Sequence, residues 1–246
     1  MTFHDILPET LDSFRANLHF LKQNTNVVSL DNFFSGESST NKISVVITFD
    51  DGYKSWITDV LPLLKKLGLP AIFFVSSGFV GLSEYEETEF IRTKLFAKLP
   101  PRRISGSLSY ADVRKLADDG FTIGGHTLNH CDLGELRDLD RLRYEIAEDK
   151  LRLERMTGSR IDYFSYPFGI YQNPGIDISA VIRELGYRGA VTTVSGFNSA
   201  RTNPYLLHRE LTASLMSERV FRARVYGNYE AIRYLKKIIS FTMTKF

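Results

Sequence analysis

Two adjacent carboxylates, Asp50 and Asp51, end the apolar run Ile43-Ser-Val-Val-Ile-Thr-Phe49 and are followed by Gly52. Two like charges side by side cost free energy unless a cation or a shared proton relieves them. The stretch Gly124-Gly-His-Thr-Leu-Asn-His130 offers the relief. His126 and His130 are four apart, a spacing that on a helical turn puts both rings on one side. Two imidazoles and one carboxylate form a three-ligand set for a divalent metal with a coordination position left open, the pattern of a catalytic site. One acid then ligates, and the other stays free to take a proton from water, whose pKa such a metal lowers from about 15.7 toward about 7. A positioned base adds about 10²–10⁴ in rate. That is the equipment for hydrolysing an unactivated ester or amide.

Taken singly, each signal has an ordinary reading. A strand-terminal Asp-Asp-Gly is commonly a turn with a helix cap, and a His-x-x-x-His is commonly two packed or surface histidines. The other histidines, His4, His19 and His208, show no such pairing, and Cys131 beside His130 reads as a partly buried thiol.

The elements that must position these groups alternate between strand-like and helix-like segments. Leu11, Phe14, Leu18 and Leu21 fall at helical spacing, Val27–Leu30 reads as a short strand, and 35–41 as a polar loop. Trp56–Lys66 is an amphipathic helix stopped by Gly68, and Ala71-Ile-Phe-Phe-Val75 a buried strand. Residues 77–108 form an irregular insert with one helix around Phe90–Leu99. Ser109-Tyr-Ala-Asp112 is a capping box for a helix that ends at Gly120. A short strand at 121–125 follows, and Leu133, Leu136, Leu139, Leu142 and Ile146 stripe a long helix ending near Gly158. Tyr163-Phe-Ser-Tyr166 is a strand broken by Pro167, Ile178–Leu185 a helix, and 187–194 and 205–213 strands. Repeated β–α units imply parallel strands with helical crossovers. Ligands in such folds bind beyond the carboxyl ends of the strands, where the acids, the histidines and a third cluster, Tyr166-Pro-Phe-Gly169, all fall.

At 246 residues, 43% of them hydrophobic, the chain suits one domain with a sizeable core. Lysine plus arginine (31) nearly balances aspartate plus glutamate (29), so no global field points to nucleic acid. One cysteine excludes an intrachain disulfide and points to a reducing compartment. Neither a signal peptide nor a run of eighteen apolar residues is present, so the expected location is cytoplasmic or membrane-associated.

"TFDDGY", "GGHTLNH" and "FSYPFG", in this order and spacing, resemble the polysaccharide deacetylases, the NodB-homology family also called carbohydrate esterase family 4. The resemblance extends over Phe3-His-Asp-Ile-Leu and "LPLLKKLGLPAIFFV" and runs to about Thr212. It implies an α/β fold, a distorted (β/α) barrel with seven or eight mostly parallel strands. The chain is then a single domain over 1–246, with a motif-bearing core at about 43–213 and C-terminal helices at about 217–246.

By the same resemblance Asp50 is the catalytic base, and Asp51, His126 and His130 hold one divalent metal, zinc first, with cobalt, nickel or manganese as other fits. Thr127 supports the histidine loop. Pro167 and Phe168 match the motif whose backbone N–H helps bind the oxyanion, a donor whose loss typically costs about 10²–10³ in kcat. The reaction is removal of acetyl groups, N-acetyl above all, from a glycan or sugar. The chain also departs from the pattern. Many members carry an arginine at the Ser165 position that pairs with the base, and a groove tryptophan; the one tryptophan here is Trp56. Leu206-Leu-His208 matches the motif of the acid histidine, which makes His208 the candidate general acid. Arg209 is the candidate to replace the absent arginine on Asp50, and is counted with Pro167 and Phe168 on the substrate side.

Two rivals stand beside a metal-dependent deacetylase: an inactive barrel that only binds carbohydrate, and a divalent-metal phosphohydrolase, which would be expected to carry more basic residues near its acids. The tail is a separate signal. Ile232, Leu235, Ile238, Ile239 and Phe241 share a broad helical face beside Arg233, Lys236, Lys237 and Lys245. That pattern fits a helix docked on the barrel, or weak contact with an anionic membrane surface.

Overall fold

The computed structural model describes residues 1–36, 41–98, 100, 103–212 and 216–228. Among these residues eight short strands form, β1 (Thr2–Phe3), β2 (Asn26–Val27), β3 (Ser44–Val45), β4 (Thr48–Asp51), β5 (Ile72–Val75), β6 (Thr122–Gly125), β7 (Tyr163–Ser165) and β8 (Gly189–Val191). The helices are α1 (Leu11–Asn24), α2 (Leu30–Ser35), α3 (Leu61–Leu67), α4 (Glu84–Phe90), α5 (Tyr110–Asp118), α6 (Leu139–Thr157), α7 (Ile178–Glu184) and α8 (Glu218–Val225). Six strands make one curled parallel sheet in the order β1-β4-β5-β6-β7-β8, and β2 and β3 pair separately, also in parallel.

The segment 204–212 bridges the two edges of the curled sheet. On one side Leu207 pairs with Val191, and the Thr192 N–H donates to the Leu207 carbonyl at 2.8 Å; on the other Leu211 pairs with Thr2, whose N–H donates to the Glu210 carbonyl at 2.9 Å. The result is the expected distorted barrel, with this segment as its seam.

Burial divides by strand face. Phe49, Phe73 and Val75 pack outward among Phe14, Trp56, Leu64 and other helix residues. Ile72, Phe74, Tyr163, Val191 and Leu207 form a separate cluster with Leu30, against which Phe33 and Phe34 of α2 pack. All four residues of β5 are buried, as its uninterrupted apolar run required.

Local signals explain most boundaries. Ser109 and Asp112 make the reciprocal capping box that opens α5, and Gly68 in the left-handed region ends α3. Several boundaries differ from the sequence reading. The helix of the insert starts earlier than Phe90, at Glu84, where Ser83 and Glu86 make a capping box. The strand expected over 27–30 ends at Val27, and α2 begins at Leu30 because Ser29 caps it, accepting from the Asn32 N–H at 3.1 Å. The leucine stripe from Leu133 does not start α6. Asp132 accepts the Gly134 N–H at 2.7 Å, which turns the chain, and Asp138 caps the helix one turn before Leu142. No helix among the described residues is long and apolar enough to cross a membrane. The tail beyond Asn228, with its basic pattern, lies outside the described residues.

Candidate metal centre and catalytic base

The strand register brings the three polar clusters to one end of the sheet. Asp51 lies opposite Val75, Val75 opposite Gly125, and Gly125 opposite Phe164, so Asp50 and Asp51 of β4, His126 just past β6 and Ser165 of β7 come to one level at the end of the sheet. Asp51 Oδ1 lies 3.3 Å from His126 Nε2 and 3.2 Å from His130 Nε2. Asp51, His126 and His130 are all buried, and their ligand atoms lie within 4.8 Å of one another.

The second nitrogen of each ring decides whether these donors suit a cation. His126 Nδ1 is 2.7 Å from the Ser165 carbonyl and His130 Nδ1 is 3.4 Å from the Lys94 carbonyl. A carbonyl only accepts, so each Nδ1 carries the proton and each Nε2 turns its lone pair toward Asp51. Two imidazole lone pairs and a carboxylate oxygen converging on one point fit a divalent metal of the zinc type. Burial acts to raise the Asp51 carboxyl, but the two neighbouring imidazoles hold it well below the usual carboxylate range.

Asp50 points to the other face of β4 and meets Arg209 from the seam. Arg209 Nη1 donates to Asp50 Oδ1 at 2.8 Å and Nη2 to Oδ2 at 2.7 Å, a bidentate pair with each side chain 3% exposed. The rest of the guanidinium is used as well: Nε on the Thr192 carbonyl, Nη1 on Thr48 Oγ1 and Nη2 on Ser165 Oγ. Burial pushes the Asp50 carboxyl up, but the Arg209 charge and hydrogen bonds outweigh it and leave the group below its ordinary value. Ser165, at the position expected of an arginine in many relatives, thus stands in a shared network with the arginine from the seam. All five guanidinium N–H groups are thus engaged by Asp50 and the groups around it.

His208 is not brought to this cluster. Neighbouring residues of an extended segment point to opposite faces, and Arg209 takes the inner one. The His208 ring lies against Gly196, and its N–H and carbonyl are both bound by the Asn198 side chain at 2.8 Å. By strand alternation His208 therefore lies on the side of the seam away from Asp50, apart from the cluster it was expected to join as general acid. A histidine passed over in the sequence is better placed. β1 pairs with β4, Phe3 opposite Phe49, so His4 comes level with Asp50, and its charge lowers both the Asp50 and Asp51 carboxyls. Its signal was a polar residue directly after a two-residue apolar strand, too short for periodicity to detect.

The Pro167–Gly169 turn follows β7. Phe168 lies at φ 57° and Gly169 at φ 72°, where a Cβ on Gly169 would come within 1.8 Å of Thr193 Oγ1. The Phe168 ring packs edge-on to His130 at 4.6 Å between centroids, and Lys98 Nζ of the insert lies 5.7 Å from the Phe168 ring centroid. Among the described residues the Phe168 N–H donates no backbone hydrogen bond. Four non-glycine residues there have positive φ, Asp51, Thr127, His130 and Phe168, and all lie in the three clusters. Such conformations cost about 1–3 kcal/mol each and persist where the surroundings over-determine them, typically at functional sites.

Comparison with known proteins agrees with this geometry. The family model described as polysaccharide deacetylase matches residues 37–190. The Bacillus subtilis (strain 168) protein YxkH, which carries a polysaccharide deacetylase name, is 28% identical over 181 residues, 74% of this chain; the match spans 56% of that relative's length. The fold is similar to the Streptococcus pyogenes deacetylase PplD, solved in complex with acetate (TM-score 0.73, 21% identity, 92% of this chain and 96% of that one). It is also similar to IcaB from Ammonifex degensii (TM-score 0.72, 21% identity, 93% and 95%).

Proposed function

This chain belongs to the polysaccharide deacetylase family, and on that premise we propose that it hydrolyses acetyl groups, N-acetyl first, from a carbohydrate, using one divalent metal ion. The observation that carries the reading is the division of labour at the end of β4. Asp51 turns to two histidines while Asp50 is gripped, ionised, by a buried guanidinium. An inactive carbohydrate-binding barrel has no need of a second, free carboxylate held this way. The N-terminal strand and the seam hydrogen-bond to each other, which supports reading the described chain as one catalytic unit.

In this proposal Asp51, His126 and His130 hold the metal. When bound, the metal polarises the acetyl carbonyl and lowers the pKa of water. Asp50 Oδ atoms accept the proton of the attacking water, and Arg209 keeps that carboxylate charged and oriented between turnovers. The Phe168 N–H donates to the oxyanion that develops on the acetyl carbonyl oxygen. Ser165 links base to arginine, and its carbonyl fixes the tautomer of His126. His4, beside Asp50, gives a proton to the leaving sugar nitrogen. Acetate release from an N-acetylated chitooligosaccharide tests the reading; a protein that releases no acetate from any N- or O-acetylated sugar would not be a deacetylase.

The assignment of the acid makes its own prediction. His4→Ala is expected to lower kcat by about 10²–10⁴, the usual span for a general acid, and to remove the alkaline limb of the pH–rate profile. His208→Ala is expected to leave kcat within a few-fold. The reverse pattern would return the acid to the seam.

A further inference from the structure

We infer that Asp149, a carboxylate on α6 with no part in the chemistry above, is the residue that positions His126 for the metal. The inference rests on the reading of Asp51, His126 and His130 as a metal site. Asp149 is completely buried, and its two oxygens accept from two different loops. Oδ1 accepts the Ser77 N–H at 2.8 Å, just past β5, and Oδ2 accepts the His126 N–H at 2.8 Å, just past β6. One side chain therefore ties the ends of two adjacent strands to a helix behind them. Burial pushes its carboxyl up to about 6, against the hydrogen bonds it receives. No ion pair to Asp149 is found among the described residues, so what holds it is this pair of peptide donors.

The need for such an acceptor follows from the register. β6 meets β7 only at Gly125 opposite Phe164, so the ladder has run out where His126 begins. Its N–H is buried and must find a partner or forfeit the desolvation cost of an unpaired donor. α6 is a rigid place from which to supply one, since Leu142, Ile146 and Leu153 are fully buried against the sheet. With Asp149 on its N–H, Ser76 Oγ donating to its carbonyl at 2.9 Å and the Ser165 carbonyl on Nδ1, His126 is fixed at three points. Only Nε2 remains, and it faces Asp51. Gly125 is part of the same device: a Cβ there would lie 2.6 Å from the Tyr187 hydroxyl, which would have to move, and 3.0 Å from Asp149 Oδ2, which it would crowd.

Asp149→Asn is the sharpest test, because the amide keeps the shape but offers one acceptor to two N–H groups. Outer partners of metal-bound histidines typically contribute about 10–100-fold in affinity. The expected result is a zinc dissociation constant weaker by that factor in chelator competition, and a shifted visible spectrum of the cobalt-loaded protein. Leu153→Ala, which loosens α6 one turn away without touching either N–H, is expected to keep wild-type affinity and spectrum in its folded fraction. If Asp149→Asn does not accumulate as folded protein, Asp149→Ser, which keeps a single small acceptor, carries the same expectation. Wild-type affinity and spectrum in the Asp149 variant would overturn the inference, as would an equal loss in Leu153→Ala. A wild-type protein that binds no zinc would instead overturn the metal reading on which it stands.

Discussion

His126→Ala is expected to bind zinc too weakly to retain it through dialysis and to release no measurable acetate, while its far-ultraviolet spectrum stays that of the wild type. The ring contributes one of three donors, and two remaining donors leave a site that competes poorly with water for a divalent ion. Its removal also deletes the hydrogen bond to the Ser165 carbonyl. The fold should survive, because the core around β6 is built from Ile123, Phe73 and Phe164 rather than from the imidazole. Metal content after dialysis checks the outcome. A variant that keeps one equivalent of metal and full turnover would remove His126 from the ligand set.

Arg209→Ala is expected to act on stability and on the pH–rate profile together. Breaking a buried ion pair from one side typically costs about 3–5 kcal/mol, since the partner charge stays buried. In the wild type the folded-state carboxyl of Asp50 lies below its ordinary value. That contribution is fully present above the unfolded pKa of about 3.9 and is lost as pH falls through the depressed folded value. Without the guanidinium the strongest opposition to burial is gone, and the carboxyl rises. The acid limb of the pH–rate profile therefore moves to higher pH. Arg209→Lys, which keeps the charge but not the fork, should fall between the two. An acid limb that stays in place would show that Arg209 does not tune the base.

How legible this site was depended on the length of the element carrying each residue. Asp50 and Asp51 end β4, whose apolar run is unmistakable, His126 and His130 follow β6, and their convergence followed from the β–α alternation. Arg209 was legible as a cation beside the apolar pair Leu206-Leu207, and the structure places it on Asp50. The placement of its neighbour His208 was not legible, because adjacent residues of an extended seam face opposite ways and the sequence does not say which one turns inward. His4 follows a strand of two residues, and Asp149 sits in the apolar half of a helix where its acceptor role depends on a register set by β6 and β7. The start of α6 was hidden by a turn that Asp132 and Gly134 make inside an otherwise helical leucine pattern.

The central claim is that a metal at Asp51, His126 and His130 and a base at Asp50 together remove acetyl groups from a carbohydrate. The most direct measurement follows acetate released from an N-acetylated chitooligosaccharide while metal-free protein is titrated with zinc. The rate should rise from near zero and reach a plateau at one equivalent, and Asp50→Asn should take up the same equivalent with a plateau about 10²–10⁴ lower. Full acetate release from the metal-free protein, or a filled site with no release from any acetylated sugar, would contradict the account.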